Sequence, residues 1–457
     1  MAATPYFRGM PTTRRRFLAS AGTLVAGSPL LPHTLDGLTR PASDRLRIGL
    51  IGAKGMGWSN LQAQLAVDDD TELAWLCDVD ESVLSDRLGD YAALRRNTPR
   101  TTGDYRELLD DPEVDVVIIG TPDHWHARMF VDAVDAGKDV YVEKPIANSV
   151  EECRAMVAAQ ARTGRVVQVG QWQRSGEHYA RALDIVRSGE LGRIRLVKCW
   201  AYQGWMKPVP PQPDQAPPPG VDYAMWLGPA PSRPFNPNRF HFTFRWFWDY
   251  AGGLMTDWGV HQLDIALLAM GADAPRSVMA SGGKFAYPDD ASETPDTLQT
   301  VYDFGDYSVM WEHAVGIDLG PDRKSEGIAF VGNLATLVLN RGGFEVVPER
   351  EFVGWGEEGP QKRAPAFGSV PEGVDYVQEH NRNFLRCVRD RTPEACATRI
   401  DSGAVAAVNA QLGNVAYKTG RKLYWDGDGM TGDFRDDAEA SALLRASYHN
   451  GWEVPTG

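Results

Sequence analysis

The sequence carries no excess of positive charge: 47 lysines and arginines stand against 61 aspartates and glutamates, a formal net charge of -14. Binding to a phosphate backbone needs a clustered basic surface, so the composition argues against nucleic acid as a partner, and small neutral or weakly charged ligands fit better. Cysteine is scarce. The five residues Cys77, Cys153, Cys199, Cys387 and Cys396 are odd in number and scattered, with neither the spacing of a metal site nor the look of a disulfide framework. Long apolar runs are missing as well. The longest candidate, residues 19–31, is interrupted by glycine, serine and proline and is too short to span a bilayer, so no integral membrane protein is expected. What is present is 43% hydrophobic residues in a chain of 457, enough to bury a sizeable core. Fourteen tryptophans are a high load; indoles suit stacking on sugar faces, although most tryptophans are core.

The stretch Thr13-Arg14-Arg15-Arg16-Phe17-Leu18, followed by that short apolar run, has the form of a twin-arginine export signal. Residues 1–40 are therefore expected to be a signal peptide and linker, the location periplasmic or otherwise exported, and the twin-arginine machinery a partner. Export of a folded chain allows a cofactor to be loaded first.

From residue 45 to about 170, strand-like and helix-like runs alternate, which predicts an α/β domain with a doubly wound parallel sheet. Its first strand breaks into Gly52-Ala53-Lys54-Gly55-Met56-Gly57 and then a helical stretch, the geometry in which backbone amides meet a pyrophosphate. Gly52 and Gly57 hold the first and third glycine positions of the dinucleotide fingerprint, while Lys54 replaces the second. Asp78 ends the second strand roughly 20 residues later, where an acid meets the ribose hydroxyls; with Val79 beside it, NAD is favoured over NADP. Thr121-Pro122-Asp123-His124-Trp125-His126 reads as a loop at another strand's carboxyl end, with His124 and His126 capping it or contacting substrate rather than ligating metal. The run Val140 to Val142 ends in Glu143-Lys144-Pro145, which places Lys144 at the ligand-binding edge, either as a solvated rim charge or as a working proton donor.

Residues 171–426 change pattern. Runs at 194–202, 277–285, 298–304, 308–315, 327–331 and 335–339 read as strands of a large, mostly antiparallel open sheet in an α+β domain, with helices at 376–389 and 402–419. Residues 208–220 are proline-rich and make a loop or lid. The stretch 245–264 ends in a helical pattern on which Asp257 and His261 are i and i+4, so the carboxylate can orient an imidazole for proton exchange, or the two form a plain helix salt bridge. Residues 427–457 form a tail, acidic and aromatic in its middle, whose role is unreadable.

In this order, the glycine turn with Asp78, the Thr121 to His126 stretch, Glu143-Lys144-Pro145 and Asp257-x-x-x-His261 resemble the glucose-fructose oxidoreductase, inositol dehydrogenase and rhizopine catabolism family (Gfo/Idh/MocA), in its exported branch, over residues 45–426. The resemblance implies a Rossmann domain followed by an open sheet that often mediates homo-oligomerisation, and an NAD-dependent oxidoreductase acting on a hydroxyl of a sugar, glycoside or cyclitol. It implies Lys144 and His261 as the groups handling the hydroxyl proton, with Asp257 supporting. The cofactor set is Gly52, Lys54, Gly55, Met56, Gly57, Asp78, Thr121, His124, His126, Glu143, Lys144 and Gln171, and the substrate set Arg174, Arg245, Trp248 and His261. Outside the cell no NAD pool regenerates the cofactor, so two outcomes stand: hydride transfer between two sugars with a bound, recycled cofactor, or a redox-neutral glycosidase, lyase or epimerase working through a transient keto-sugar. A sugar- or NAD-binding protein without turnover is the remaining alternative.

Overall fold

The structure, a computed structural model, describes residues 45–457 apart from 96 and 372; the export-signal expectation lies outside the described residues. The first sheet has six parallel strands, β1 (Leu46–Ile51), β2 (Thr71–Cys77), β3 (Arg100–Thr102), β4 (Val116–Ile119), β5 (Asp139–Val142) and β6 (Val167–Val169), in the order β3-β2-β1-β4-β5-β6. The order reverses between β1 and β4, and a doubly wound sheet opens its crevice at that point. Strands β4 and β5 are buried at every residue, as strands covered by helices on both faces must be.

The second sheet has ten strands. In chain order they are β7 (Ile194–Gln203), β8 (Ser277–Gly283), β9 (Thr297–Asp303), β10 (Ser308–Val315), β11 (Glu326–Gly332), β12 (Ala335–Asn340), β13 (Gly343–Pro348), β14 (Ala366–Ser369), β15 (Leu423–Asp426) and β16 (Asp433–Phe434). All paired neighbours run antiparallel except β7 and β10. The last four strands escape the sequence pattern: β14, β15 and β16 are short, and β13 carries Glu345 between its two inward residues Phe344 and Val346. The long helix Ile400–Thr419, buried over most of its length, packs on the helix Val150–Thr163 of the first half and the helix Gly259–Met270 of the second, so one core runs through both.

Two helices differ from the sequence pattern at positions that matter. Asp123 to His126 form not a loop but the first turn of the helix Asp123–Asp135, with Pro122 at the N-cap. The expected continuous helix through Asp257 is broken. One helix ends at Asp257 and the next begins at Gly259, with Trp258 between them at φ -103°.

Between β7 and that break, residues 204–252 form a strap with its own small core of Trp226, Leu227, Phe235, Phe240, Phe247 and Tyr250. The proline-rich part is tied down: Asn236 Nδ2 donates to Gln212 O and Asn238 Nδ2 to Pro210 O. The strap then docks on the first half. Glu81 N donates to Gly220 O and Asp222 N to Val79 O, both at 2.9 Å.

Candidate active site

The glycine turn is built by close backbone approach. Gly52 has φ +80°, and a Cβ there would meet Gly120 C at 2.7 Å; a Cβ on Gly57 would lie 2.1 Å from Gly52 O. Three glycines therefore pack main chain on main chain between β1 and β4, and the helix Met56–Val67 starts at the crevice. Lys54 is exposed at the rim with its carbonyl held by Arg87, so the replaced second glycine leaves its side chain outside the turn. Asp78 accepts from Ala53 N at 2.9 Å and Asp80 N at 3.1 Å, and burial raises its carboxyl above the ordinary value.

A cavity of about 350 Å³ lies over this turn. A second, of about 530 Å³, shares Asp78, Val79 and Gly103 with it and is closed by Gly220, Val221 and Asp222 of the strap. The first is walled on one side by the glycine turn, Thr121, His126 and Glu143, and on the other by Met225, Trp226, His241, Phe242, Phe244 and Arg245 of the strap. His241 Nε2 lies 2.9 Å from Asp80 Oδ2 and fastens the strap beside the acid of β2.

Lys144 stands at the far end. Its Nζ donates to Asp257 Oδ1 at 3.0 Å and to Asp257 O at 2.7 Å. Arg245 adds a second cation with Nε 3.6 Å from Asp257 Oδ1, its guanidinium lying over Phe242 and Phe244. Burial pushes the Asp257 carboxyl up, but Lys144 and Arg245 overcome it and hold it down at about 2. Glu143 is set by Asn60, whose Nδ2 donates to Oε1 at 2.6 Å, and by the missing side chain of Gly170, where a Cβ would lie 2.7 Å from the same oxygen. Burial raises the Glu143 carboxyl.

His126 braces the site. Its Nδ1 lies 2.7 Å from Pro145 O and its Nε2 2.8 Å from Thr121 O, tying the ends of β4 and β5 together. Thr121 Oγ1 is buried at the cavity wall with no hydrogen-bond partner among the described residues.

Several expected contacts fall elsewhere. His124 lies between Trp226 and Tyr250, with Nε2 3.1 Å from Trp226 O; it anchors the strap and is not a wall of the cavity. The helix break turns Asp257 toward Lys144, so Asp257 does not orient His261. That imidazole is buried beside Trp172 and Trp258, and burial together with Lys144 and Arg341 drops its pKa well below the usual value. Arg174 spends its guanidinium on Asp264, at 2.8 and 2.6 Å, rather than on a cavity ligand. Trp248 Nε1 donates to Glu293 O while the Lys418 ammonium sits 4.0 Å from its ring, and Gln171 Nε2 reaches Val260 O at 3.4 Å; neither lines the cavity. Sequence reasoning reaches Arg245 but passes over Asp123 and the strap's other walls, for which the aromatic density of residues 240–250 is the available signal.

The glycine cradle that any Cβ would fill, the unpartnered Thr121 hydroxyl and the acid at Asp78 fit a bound dinucleotide. Fold and site thus define a dinucleotide-binding α/β protein with a lysine–aspartate pair at the end of the cavity. Residues 46–171 match the family model described as oxidoreductase family, NAD-binding Rossmann fold, and residues 199–312 match its C-terminal alpha/beta domain. The chain belongs to the Gfo/Idh/MocA oxidoreductase family. Two relatives named glycosyl hydrolase family 109 protein, from Shewanella sp. strain W3-18-1 and Shewanella baltica strain OS155, are 32% identical over 202 and 204 residues; each alignment covers 40% of this chain and 44% of the relative. The match thus spans less than half the length of these relatives. Among solved structures, levoglucosan dehydrogenase in complex with NADH and levoglucosan superposes with a TM-score of 0.62 at 18% identity, over 83% of this chain and 99% of that one. Aldose-aldose oxidoreductase from Caulobacter crescentus, complexed with glycerol, gives 0.61 at 19% identity over the same shares. At these identities the likeness is one of fold.

Proposed function

We propose that this chain is an NAD-dependent oxidoreductase acting on a hydroxyl of a sugar, glycoside or cyclitol, with the cofactor held under the strap and recycled in place. The observation that carries this reading is the Lys144–Asp257 pair facing a dinucleotide-sized cleft between the glycine turn and the strap. The glycine turn, Asp78, Thr121 and Glu143 would hold the dinucleotide, with Asp78 favouring a free ribose hydroxyl over a 2′-phosphate. The bound nicotinamide supplies the hydride acceptor and donor. Lys144 hydrogen-bonds the reacting oxygen: in the oxidising direction its amine takes the hydroxyl proton, and in the reducing direction its ammonium gives that proton back. Asp257 keeps the nitrogen in place and balances its charge. His261 lies buried against Trp258, and burial and the nearby Lys144 favour its neutral form.

The relatives named for glycosyl hydrolase family 109 favour a second reading on the same residues, a redox-neutral cleavage of a glycoside through a transient keto-sugar. Location outside the cytoplasm, from residues 13–31, belongs to either reading, as does assembly through the open sheet. The experiment is to denature protein purified in mature form, identify any released nucleotide by absorbance and mass, and analyse products from sugars and glycosides. Bound NAD or NADH supports the proposal. A keto product then marks hydride transfer and a released aglycone without net oxidation marks cleavage, whereas protein that is empty and fails to bind added NAD overturns both.

A further inference from the structure

Among the described residues no carboxylate forms an ion pair with the guanidinium of Arg341, in the turn between β12 and β13. Two indoles enclose that guanidinium, its carbon lying 4.4 Å from the Trp172 ring centre and 4.3 Å from the Trp258 ring centre. Tyr376 braces the layer: its ring is nearly parallel to Trp172 at 6.1 Å, and its hydroxyl donates to Arg341 O at 3.2 Å. Trp258 directly follows Asp257 and so joins this layer to the anchor of Lys144, and the His261 ring packs against both indoles.

With both faces against indoles, the guanidinium can bind only through its edge. On that edge Nη2 donates to Gln173 Oε1 at the long distance of 3.4 Å, and Nε is buried with no hydrogen-bond partner among the described residues. Glu326, the acid that acts on it most strongly, is engaged elsewhere, accepting from Arg341 N on one oxygen and from Gln262 Nε2 on the other. Burial outweighs the support of Glu326, Tyr179 and Asp257 and lowers the guanidinium's pKa from its ordinary value. An enclosed cation with a spare edge is costly on its own, and an anionic ligand would complete it.

The charges around Lys144 point the same way. Lys144, Arg245 and Arg341 all act on the single carboxylate of Asp257. The other acids that face Lys144, Glu143 and Asp123, are raised by burial towards their neutral forms. A surplus of positive charge in a chain of net charge -14 marks a place where an anion is drawn in. The edge of a guanidinium matches the planar fork of a carboxylate, and flat indoles beside it match the face of a sugar ring. Trp172, Trp258 and Arg341 are only half-buried, which leaves the layer accessible to such a ring.

We propose that Arg341, held between Trp172 and Trp258, is a specificity-determining residue on the substrate side of this site and recognises the carboxylate of an acidic sugar, a hexuronic acid or its glycoside. The proposal rests on the oxidoreductase reading and narrows its substrate class: the hydroxyl at Lys144 belongs to a ring whose carboxylate meets Arg341.

The test uses the full chain with saturating NADH. Calorimetric titrations with glucuronate, galacturonate and mannuronate are compared with those of glucose, galactose and mannose, on wild type and on Arg341→Met, which keeps an aliphatic stem between the indoles. At least one uronate is expected to bind the wild type about tenfold or more tightly than its matching hexose, and Arg341→Met should erase that preference while NADH affinity stays within about threefold. The proposal is overturned if no uronate binds more tightly than its hexose, or if the preference survives in Arg341→Met. If Arg341→Met does not fold, the wild type decides alone: the uncharged methyl ester of the preferred uronate should bind as weakly as the hexose, and equal binding of acid and ester overturns the proposal. A chain that fails to bind NADH overturns the dinucleotide reading itself, an outcome distinct from NADH binding without a preference for uronates.

Discussion

Lys144 is gripped twice by one residue: its Nζ lies 3.0 Å from the Asp257 carboxylate and 2.7 Å from the Asp257 carbonyl. The ammonium is therefore fixed by a backbone atom as well as by a rotatable side chain. Replacing Lys144 by Met keeps the aliphatic stem and removes the proton. Turnover should fall by about a thousandfold, within the span for general acid–base groups, while NADH affinity stays within about threefold; steady-state kinetics beside fluorescence titration read both.

Asp257 ties the site to acid stability. Its carboxyl is buried, yet Lys144 and Arg245 hold it at about 2, below the ordinary 3.8. A depressed carboxyl stabilises the fold above the unfolded value, and that stability drains away as pH falls from about 4 towards 2. The contribution at neutral pH is about 2 kcal/mol. Thermal melts between pH 7 and 2.5 should show a steeper acid loss in wild type than in Asp257→Asn, which starts from a lower melting temperature.

The Arg174–Asp264 pair predicts a structural rather than a functional phenotype. Asp264 is almost fully enclosed and both of its oxygens accept from Arg174. Arg174→Ala leaves that carboxylate alone in the core, at a cost of about 3–5 kcal/mol. Chemical denaturation should show the loss, and the Michaelis constant of the folded fraction should stay unchanged.

Gly57→Ala tests the cradle. The added methyl carbon would sit 2.1 Å from Gly52 O, main chain against main chain, with no flexible group to yield. Nucleotide binding should vanish and the melting temperature drop, whereas Gly55→Ala, with open space around it, should keep the melting temperature.

His241→Ala removes the fastening to Asp80. One hydrogen bond of ordinary strength, about 1 kcal/mol, corresponds to NADH leaving about three- to tenfold faster, measurable by stopped-flow displacement.

Much of the fold was legible because parallel strands buried on both faces must be nearly continuous apolar runs, as 114–120 and 140–142 are. The strand expected at 308–315 is found at those residues. The failures have a common physical source. The i, i+4 argument for Asp257 and His261 assumed an unbroken helix, and the break at Trp258 sends the two side chains to different partners. The resemblance implies Arg174 and Trp248 as substrate contacts, but their partners Asp264 and Glu293 lie far along the chain, and no local pattern reports such a partner.

The strap also bears on how this protein can be taken apart. A fragment ending at residue 171 would contain the glycines, Asp78 and Lys144, and still lack one side of the cleft, which is formed by residues 220–257. Part of the wall around a nucleotide in this cleft is thus supplied from outside the sequence fingerprint that recognises it.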